Sequence, residues 1–199
     1  SFVVSPAVLI PRPETEILAE TAQQRLEGRV SPRILDVGTG SGAIIISLLR
    51  KFPEAEGVAV DISPGALAVA GENARVLQVA DRLEFRRGDV FAPVAGQFFD
   101  AIVSNPPYIA DRDLAGLEPE LGYEPRTALA GGADGLSFYR RIVAGAAGLL
   151  REGGFVALEV GAGQAPQVAA LAAPDTGLRA AGIVKDYAGI ERVVVLERR

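Results

Sequence analysis

A short strand, a glycine-rich loop and a helix follow one another near the start of the chain. Residues 33–37 form an apolar run that predicts a buried strand, residues 38–42 read Gly-Thr-Gly-Ser-Gly, and residues 43–50 predict a helix. Glycines let a backbone approach a ligand closely, and the first turn of a helix offers it free N–H groups. Because doubly wound α/β proteins bind nucleotides with such a unit, it predicts an α/β fold with a nucleoside site.

Acidic residues lie on both sides of this loop. A second predicted strand, residues 57–60, ends at Asp61, which lies 19 residues after Gly42. This is the usual spacing for a carboxylate that binds ribose hydroxyls in these folds. Asp36 precedes the first glycine, where a carboxylate can meet the ammonium group of a methionine moiety.

Two classes of cofactor fit the loop. Gly38-x-Gly40-x-x-Ala43 satisfies the dinucleotide-binding pattern, since alanine is allowed at the last position. S-adenosyl-L-methionine is favoured by Asp36 and by Gly42, which opens the loop at a third point where a pyrophosphate would not require it. We therefore expect S-adenosyl-L-methionine as the cofactor and keep NAD as the alternative.

Two further strands predict more site residues. Residues 83–86 predict a third strand, after which Asp89 can accept a hydrogen bond from an adenine amino group. Residues 101–103 predict a fourth strand, which runs into Asn105-Pro106-Pro107-Tyr108. Ligands of doubly wound sheets bind beyond the carboxyl ends of the strands, so we expect these residues, the glycine loop and Asp61 to meet there.

The Asn-Pro-Pro-Tyr stretch has the chemistry to hold a planar NH₂ group. Pro106 and Pro107 have no N–H and a fixed φ, so the strand cannot continue. This leaves the Asn105 side-chain oxygen and the Pro106 carbonyl as two acceptors, and Tyr108 adds a flat ring. Two acceptors match two N–H bonds, and the ring can pack on the flat face.

Composition limits the chemistry and the partners. The 199 residues are enough for one domain, and they include no histidine and no cysteine, which excludes a histidine base, disulfides and thiolate chemistry. The net charge of −5 argues against a large duplex-binding surface, so we do not expect a nucleic-acid substrate. No apolar run approaches the ~20 residues of a membrane span, and no signal peptide is visible. We expect a cytoplasmic protein without a membrane partner.

The remaining elements complete a predicted fold. Helices are predicted from Pro13 to Leu26 and over residues 136–150 and 164–173, and strands over residues 155–160, 178–185 and 192–197. Residues 109–135 show no period, and a connection of this length is usually a lid or a binding loop. The short link at residues 186–190 predicts an antiparallel hairpin at the sheet edge. We predict a doubly wound, mostly parallel seven-stranded sheet with a C-terminal antiparallel hairpin.

Taken together, these motifs resemble the HemK/PrmC family of methyltransferases, which methylate the side-chain amide nitrogen of a glutamine in peptide chain release factors. The glycine loop and Asn-Pro-Pro-Tyr are shared with other methyltransferases, whereas their combination with Pro-Arg-Pro-Glu-Thr-Glu is more specific. The matching stretches are residues 2–6, 9–16, 35–44, 105–109, 123–125, 132–136 and 186–192.

The resemblance implies the class I S-adenosylmethionine-dependent methyltransferase fold, a release factor as protein substrate, and roles for particular residues. Asn105, Pro106, Pro107 and Tyr108 would receive the glutamine, with Asn105, Pro106 and Tyr108 as catalytic residues. Many relatives carry an aromatic residue at the position of Val90. The implied cofactor contacts are Asp36, Gly38, Thr39, Gly40, Ser41, Gly42, Asp61, Asp89, Val90 and Asn105.

The resemblance also implies a domain arrangement. Residues 1–199 correspond to the methyltransferase catalytic domain, whereas the family carries an additional helical N-terminal domain that helps to bind the release factor. The chain contains no methionine and begins within an apolar pattern. We therefore expect a fragment without that N-terminal domain.

The residues by themselves are also compatible with three other functions. A nucleic-acid methyltransferase acting on a base NH₂ can use the same acceptors, although a duplex substrate requires base extrusion. An NAD-dependent oxidoreductase leaves residues 105–108 unexplained. A nucleoside-binding module without activity does not need the open acceptors.

Overall fold

The structure, a computed structural model, describes residues 2–116 and 125–199. Seven strands in this part of the chain form one sheet: β1 (Arg33–Val37), β2 (Glu56–Asp61), β3 (Leu83–Arg87), β4 (Phe99–Ser104), β5 (Leu150–Glu159), β6 (Leu178–Lys185) and β7 (Glu191–Arg198). The α-helices are α1 (Pro13–Leu26), α2 (Ala43–Lys51), α3 (Pro64–Val76), α4 (Ser137–Ala146) and α5 (Ala165–Ala170). No helix of the described residues is long and apolar enough to cross a membrane.

The sheet has the order β3-β2-β1-β4-β5-β7-β6. Strands β1 to β5 pair in parallel, whereas β7 runs antiparallel to both β5 and β6. This arrangement confirms the predicted fold and the C-terminal hairpin. The strand order reverses direction beside β1 and β4, so the carboxyl ends of these two strands adjoin the crevice in which doubly wound folds bind ligands.

Helices cover both faces of the sheet. Side chains of α1 and α2 pack on one face, and side chains of α4 and α5 pack on the other. Strand β4 is buried along its whole length, and its neighbours Ile102 and Val103 belong to opposite faces because strand side chains alternate. Burial on both faces explains why the central strands are continuous apolar runs rather than alternating ones.

The boundary between α4 and β5 differs most from the predicted one. The predicted helix over residues 136–150 is wrong at its end, since α4 stops at Ala146 and a single 3₁₀ turn leads into β5 at Leu150. Strand β5 therefore starts before Gly153, not after it. Leu150 already pairs with Phe99, and a register irregularity accommodates the glycines, of which Gly153 has a φ of 69°. Local apolar periodicity could not reveal this pairing.

The last predicted helix is also shorter in the structure. Residues 164–173 were predicted to be helical, but α5 covers Ala165–Ala170. A turn follows, and Pro174 begins a separate 3₁₀ segment. Proline cannot continue a helix that precedes it, which explains the early end.

The long connection between β4 and α4 returns to the strand end from which it starts. Within the predicted loop over residues 109–135, residues 117–124 lie outside the described residues. They include Tyr123 and Glu124, which belong to one of the stretches that match the HemK/PrmC family. Ile109 forms a bridge with Ala130, and the N–H of Gly131 donates to the Ile109 carbonyl over 2.8 Å. The end of the connection is thereby held against the residues that follow Asn105.

Candidate active site

A cavity of about 350 Å³ opens beyond the carboxyl ends of β1, β2 and β4. Most of the predicted site residues line it: Gly38, Thr39, Gly40, Ser41, Asp61, Asp89, Val90, Asn105, Pro106 and Pro107. The predicted residues Asp36, Gly42 and Tyr108 do not line this cavity but lie next to residues that do. Predicted cofactor and substrate residues therefore share one crevice.

Asp61 holds the glycine loop in place. Its Oδ2 accepts a hydrogen bond from the Gly40 N–H, and its Oδ1 accepts one from the Ser63 N–H, both at 2.9 Å. Gly38 and Gly40 have φ values of 72° and 55°, in the region that favours glycine. A Cβ added to either glycine would meet no atom within 4 Å, so the space beside the loop is open.

Asp36 is a buried carboxyl group behind the loop. Its Oδ2 accepts a hydrogen bond from the Thr39 hydroxyl at 2.7 Å, whereas its Oδ1 has no partner among the described residues. Burial raises the pKa of Asp36 to about 7, the Thr39 hydrogen bond opposes this rise, and the charge of Asp61 adds to it. An unpaired carboxylate oxygen is suited to a cationic group, but the predicted ammonium contact stays a prediction because Asp36 does not reach the cavity wall.

Gly42 has a structural reason to be glycine. It precedes α2 with a φ of 81°. A Cβ there would lie 2.8 Å from Ile46 Cδ1 and 3.2 Å from Ala70 Cβ. Close packing between α2 and α3 accounts for this glycine, and its predicted contact with the cofactor stays a prediction.

Asp89 and Val90 form the wall beyond β3. The Asp89 carboxylate pairs with Arg141 of α4 at 2.6 Å. Val90 is buried and has a φ of 50°, a conformation that β-branched residues rarely adopt. Such strain persists where surrounding structure enforces it, and it concentrates at functional sites.

The residues after β4 are held from both sides. At the strand end, the Ser104 hydroxyl donates to the Val37 carbonyl over 2.6 Å. Asn105 Nδ2 donates to Thr15 Oγ1 of α1 over 3.2 Å. The Tyr108 carbonyl accepts a hydrogen bond from Gln164 Nε2 at 3.0 Å, and its ring packs against the core. These contacts fix the backbone on which the Pro106 carbonyl lies.

Two residues beside Asn105 were missed as site residues. Thr15 lines the cavity, although its segment was interpreted mainly as the start of a helix. Glu159 ends β5 and is only 2% exposed. Burial raises the pKa of Glu159 to about 7, against the lowering effects of a Thr15 hydrogen bond and the Arg192 charge. An acidic residue inside the apolar run 155–160 was the available signal for Glu159.

Other cavity residues were not predicted individually as site residues, although some lie in the stretches that match the family or in the predicted lid or binding loop over residues 109–135. Phe138 and Ile142 of α4 line the wall, as do Ala7, Val8, Leu9 and Pro11 of the N-terminal segment and Pro125, Thr127, Ala128 and Ala130 of the long connection. The buried Asn73 of α3 ties the N-terminal segment to the loop, since its Nδ2 donates to the carbonyls of Val3 and Ser41, both at 2.9 Å.

Comparison with known proteins agrees with this geometry. Residues 13–117 match the family described as "Methyltransferase small domain". The chain is 49% identical to a release factor glutamine methyltransferase of Moorella thermoacetica, covering 100% of the chain and 70% of that protein. It is 48% identical to one of Gloeobacter violaceus, covering 96% of the chain and 68% of that protein.

A solved structure shows the same likeness. The chain is 38% identical to a release factor-specific protein-(glutamine-N5) methyltransferase from Alicyclobacillus acidocaldarius, with a TM-score of 0.60. The match covers 100% of this chain and 99% of that chain. With its class I fold and the shared crevice described above, the chain belongs to the release factor glutamine methyltransferase family.

Proposed function

We propose that this protein transfers the methyl group of S-adenosyl-L-methionine to the side-chain amide nitrogen of a glutamine in a peptide chain release factor. One observation carries the proposal: Asn105 and Pro106 line the same cavity as the glycine loop and Asp61. Residues that carry acceptors for an NH₂ group therefore adjoin the space in which a nucleoside is expected. Membership of the family supports the choice of substrate. Because release factors act in the cytoplasm, we propose that location for this protein as well.

The cavity residues fit the proposed cofactor. The open space beside Gly38 and Gly40 admits a ligand close to the backbone, and the carboxylate of Asp61 is available at the second strand for ribose hydroxyls. Asp89 and Val90 would meet the adenine. When bound, S-adenosyl-L-methionine supplies a methyl group attached to a sulfonium, which is a strong electrophile.

The residues at the end of β4 can compensate for the low nucleophilicity of the substrate amide nitrogen. An amide nitrogen is a poor nucleophile because its lone pair is delocalised into the carbonyl. The Asn105 side-chain oxygen and the Pro106 carbonyl can each accept a hydrogen bond from one N–H group of the substrate amide. Two such bonds orient the nitrogen and increase its electron density, and positioning of this kind supplies a large part of the rate enhancement.

No strong base is required before the transfer. Once methylated, the nitrogen is acidic and loses its proton readily to water. The absence of histidine from the sequence is compatible with this order of events. The chemistry depends on acceptors, which the Asn-Pro-Pro-Tyr stretch provides.

The proposed substrate can be tested against its main competitor. The protein is incubated with radiolabelled S-adenosyl-L-methionine and, in separate reactions, with a bacterial release factor, DNA and ribosomal RNA. We expect label in the release factor and none in the nucleic acids. Label in DNA or RNA, with an unlabelled release factor, would show a base amino group to be the true acceptor.

Binding of the cofactor should depend on Asp61. In Asp61→Asn one of the two backbone N–H groups that Asp61 accepts, of Gly40 or of Ser63, faces an NH₂ group instead of an oxygen. A ribose hydroxyl also loses its charged acceptor. We expect S-adenosyl-L-methionine to bind about 1–3 kcal/mol more weakly by calorimetry. The matched control is Asp175→Asn, an exposed residue outside the cavity, which should bind as wild type does. If the wild-type protein bound NAD as tightly as S-adenosyl-L-methionine, the choice of cofactor would be wrong.

The predicted helical N-terminal domain remains a proposal. Both curated relatives are longer than this chain, which spans 70% and 68% of their lengths. We propose that the described fold binds cofactor by itself, because its sheet is covered by helices on both faces. The release factor should bind more tightly to a full-length relative than to this chain.

A further inference from the structure

A buried carboxyl group lies beside the proposed substrate site without a role in the mechanism above. Glu159 follows Leu158, which pairs with Ser104 at the end of β4, so Glu159 and Asn105 occupy neighbouring positions at the carboxyl edge of the sheet. One oxygen of Glu159, Oε2, is buried without a hydrogen-bond partner among the described residues. Burial of a carboxyl group with an unsatisfied oxygen is costly, so its presence calls for a reason.

The Glu159 carboxyl group is connected to Asn105 through Thr15. Asn105 Nδ2 donates to Thr15 Oγ1 over 3.2 Å. The Thr15 and Asn105 side chains both lie close enough to the Glu159 carboxyl group to lower its pKa against the effect of burial. A hydroxyl group can donate or accept, so Thr15 alone does not decide which end of the Asn105 amide faces it. An ionised carboxylate only accepts. Towards an ionised Glu159 the Thr15 hydroxyl can therefore only donate a hydrogen bond, which leaves Oγ1 to accept from Asn105 Nδ2.

The direction of the hydrogen bonds between Glu159, Thr15 and Asn105 determines whether Asn105 presents its oxygen or its nitrogen to the cavity. Rotation of an asparagine amide by 180° exchanges an acceptor for a donor with little change in shape. We propose that Glu159 is a positioning residue, which through Thr15 holds the Asn105 amide with its nitrogen inward and its oxygen available to the substrate NH₂ group. The effect of this arrangement on methyl transfer rests on the proposed function, whereas the arrangement itself does not.

Charged and titratable groups from α1, α4, β7 and the residues after β4 face Glu159. Arg192 of β7 lowers its pKa and Glu14 of α1 raises it, while burial is the main cause of the value of about 7. Tyr139 of α4 donates its hydroxyl to the Glu159 carbonyl over 2.9 Å, and the Glu159 charge contributes to the raised pKa of Tyr108. Below this pH Glu159 becomes protonated and can donate to Thr15, which permits the reversed amide. Methyl transfer should therefore slow as the pH falls through about 7.

Three substitutions test the chain of hydrogen bonds. Glu159→Gln removes the charge at nearly constant shape, and we expect the single-turnover rate at pH 8 to fall about tenfold and its dependence on pH near 7 to disappear. Thr15→Val should lose a similar factor, and Thr15→Ser, which keeps the hydroxyl, should restore most of the rate. The double variant Glu159→Gln/Thr15→Val should be no slower than either single variant, since both break the same chain. Affinity for S-adenosyl-L-methionine should not change.

A control and a measurement without substrate separate this proposal from the proposed function. Glu152→Gln makes the same charge change at an exposed position of the same strand and should behave as wild type. The Asn105 NH₂ signals in nuclear magnetic resonance spectra, assigned by their loss in Asn105→Asp, should shift as the pH crosses about 7 in wild type but not in Glu159→Gln. Identical pH responses of these signals in the two proteins would overturn the positioning role. A wild type that fails to methylate release factor while showing the expected shift would overturn the proposed function alone.

Discussion

Asn105→Ala is expected to lower the single-turnover rate of methyl transfer to release factor by on the order of 100- to 1000-fold. The substitution removes one of the two acceptors that we propose orient the substrate nitrogen, and loss of one preorganised polar partner at a reacting centre commonly has an effect of this size. The rate is measured by rapid quench at saturating S-adenosyl-L-methionine. Folding should survive, because Asn105 lies at a strand end and is only partly buried.

Asn105→Asp distinguishes loss of the acceptor from loss of the inward hydrogen bond. Aspartate keeps an acceptor oxygen of the same reach but has no nitrogen to donate to Thr15. We expect its rate to lie between those of wild type and Asn105→Ala. Affinity for the cofactor should fall less than the rate in both variants. An alanine variant as fast as wild type would show that Asn105 does not hold the substrate amide.

Gly131→Ala is expected to lower the same rate by about 100-fold through displacement of the Pro106 carbonyl. A Cβ on Gly131 would lie 2.8 Å from Tyr108 Cα and 2.9 Å from both the Pro107 carbonyl oxygen and Gly135 Cα. All three are backbone atoms that no side-chain rotation can move away. The backbone at Pro107 and Tyr108, at Gly135, or at Gly131 itself must therefore shift. We expect the Pro106 carbonyl to be displaced with it, and misplacement on the scale of an ångström costs about that factor.

The matched control for this variant is Gly148→Ala. Gly148 is exposed, and a Cβ there would meet no atom within 4 Å. It should leave the rate and the melting temperature unchanged. If Gly131→Ala instead retained the wild-type rate with a normal circular dichroism spectrum, the backbone at Pro106 would not need the position that the structure gives it.

Local chemistry was sufficient to predict the sheet and most of the cavity. The end of β4 at Ser104 follows from Pro106 and Pro107, which cannot pair as strand residues. Asp61 was predicted to be a site residue from its spacing to the glycine loop. The structure adds that its carboxylate accepts hydrogen bonds from the N–H groups of Gly40 and Ser63. These features depend on residues near one another in the chain, so a single sequence reveals them.

The remaining parts of the site depend on contacts between distant segments. Glu159 comes beside Asn105 only because β5 pairs in parallel with β4, and Thr15 joins them only because α1 packs against the same end of the sheet. The boundary between α4 and β5 also depended on a distant partner, the pairing of Leu150 with Phe99. Residue types alone favoured a continued helix there, and strand pairing overrode that local preference.

The most direct test of the proposed methyl transfer is to locate the methyl group in the product. Release factor is incubated with this protein and S-adenosyl-L-methionine, and its peptides are sequenced by tandem mass spectrometry. We expect one methyl group on the side-chain amide of a single glutamine, and no methylation when that glutamine is replaced by glutamate. A methyl group on a lysine, an arginine or the amino terminus would contradict this expectation, because the acceptors at Asn105 and Pro106 are suited to a planar amide NH₂.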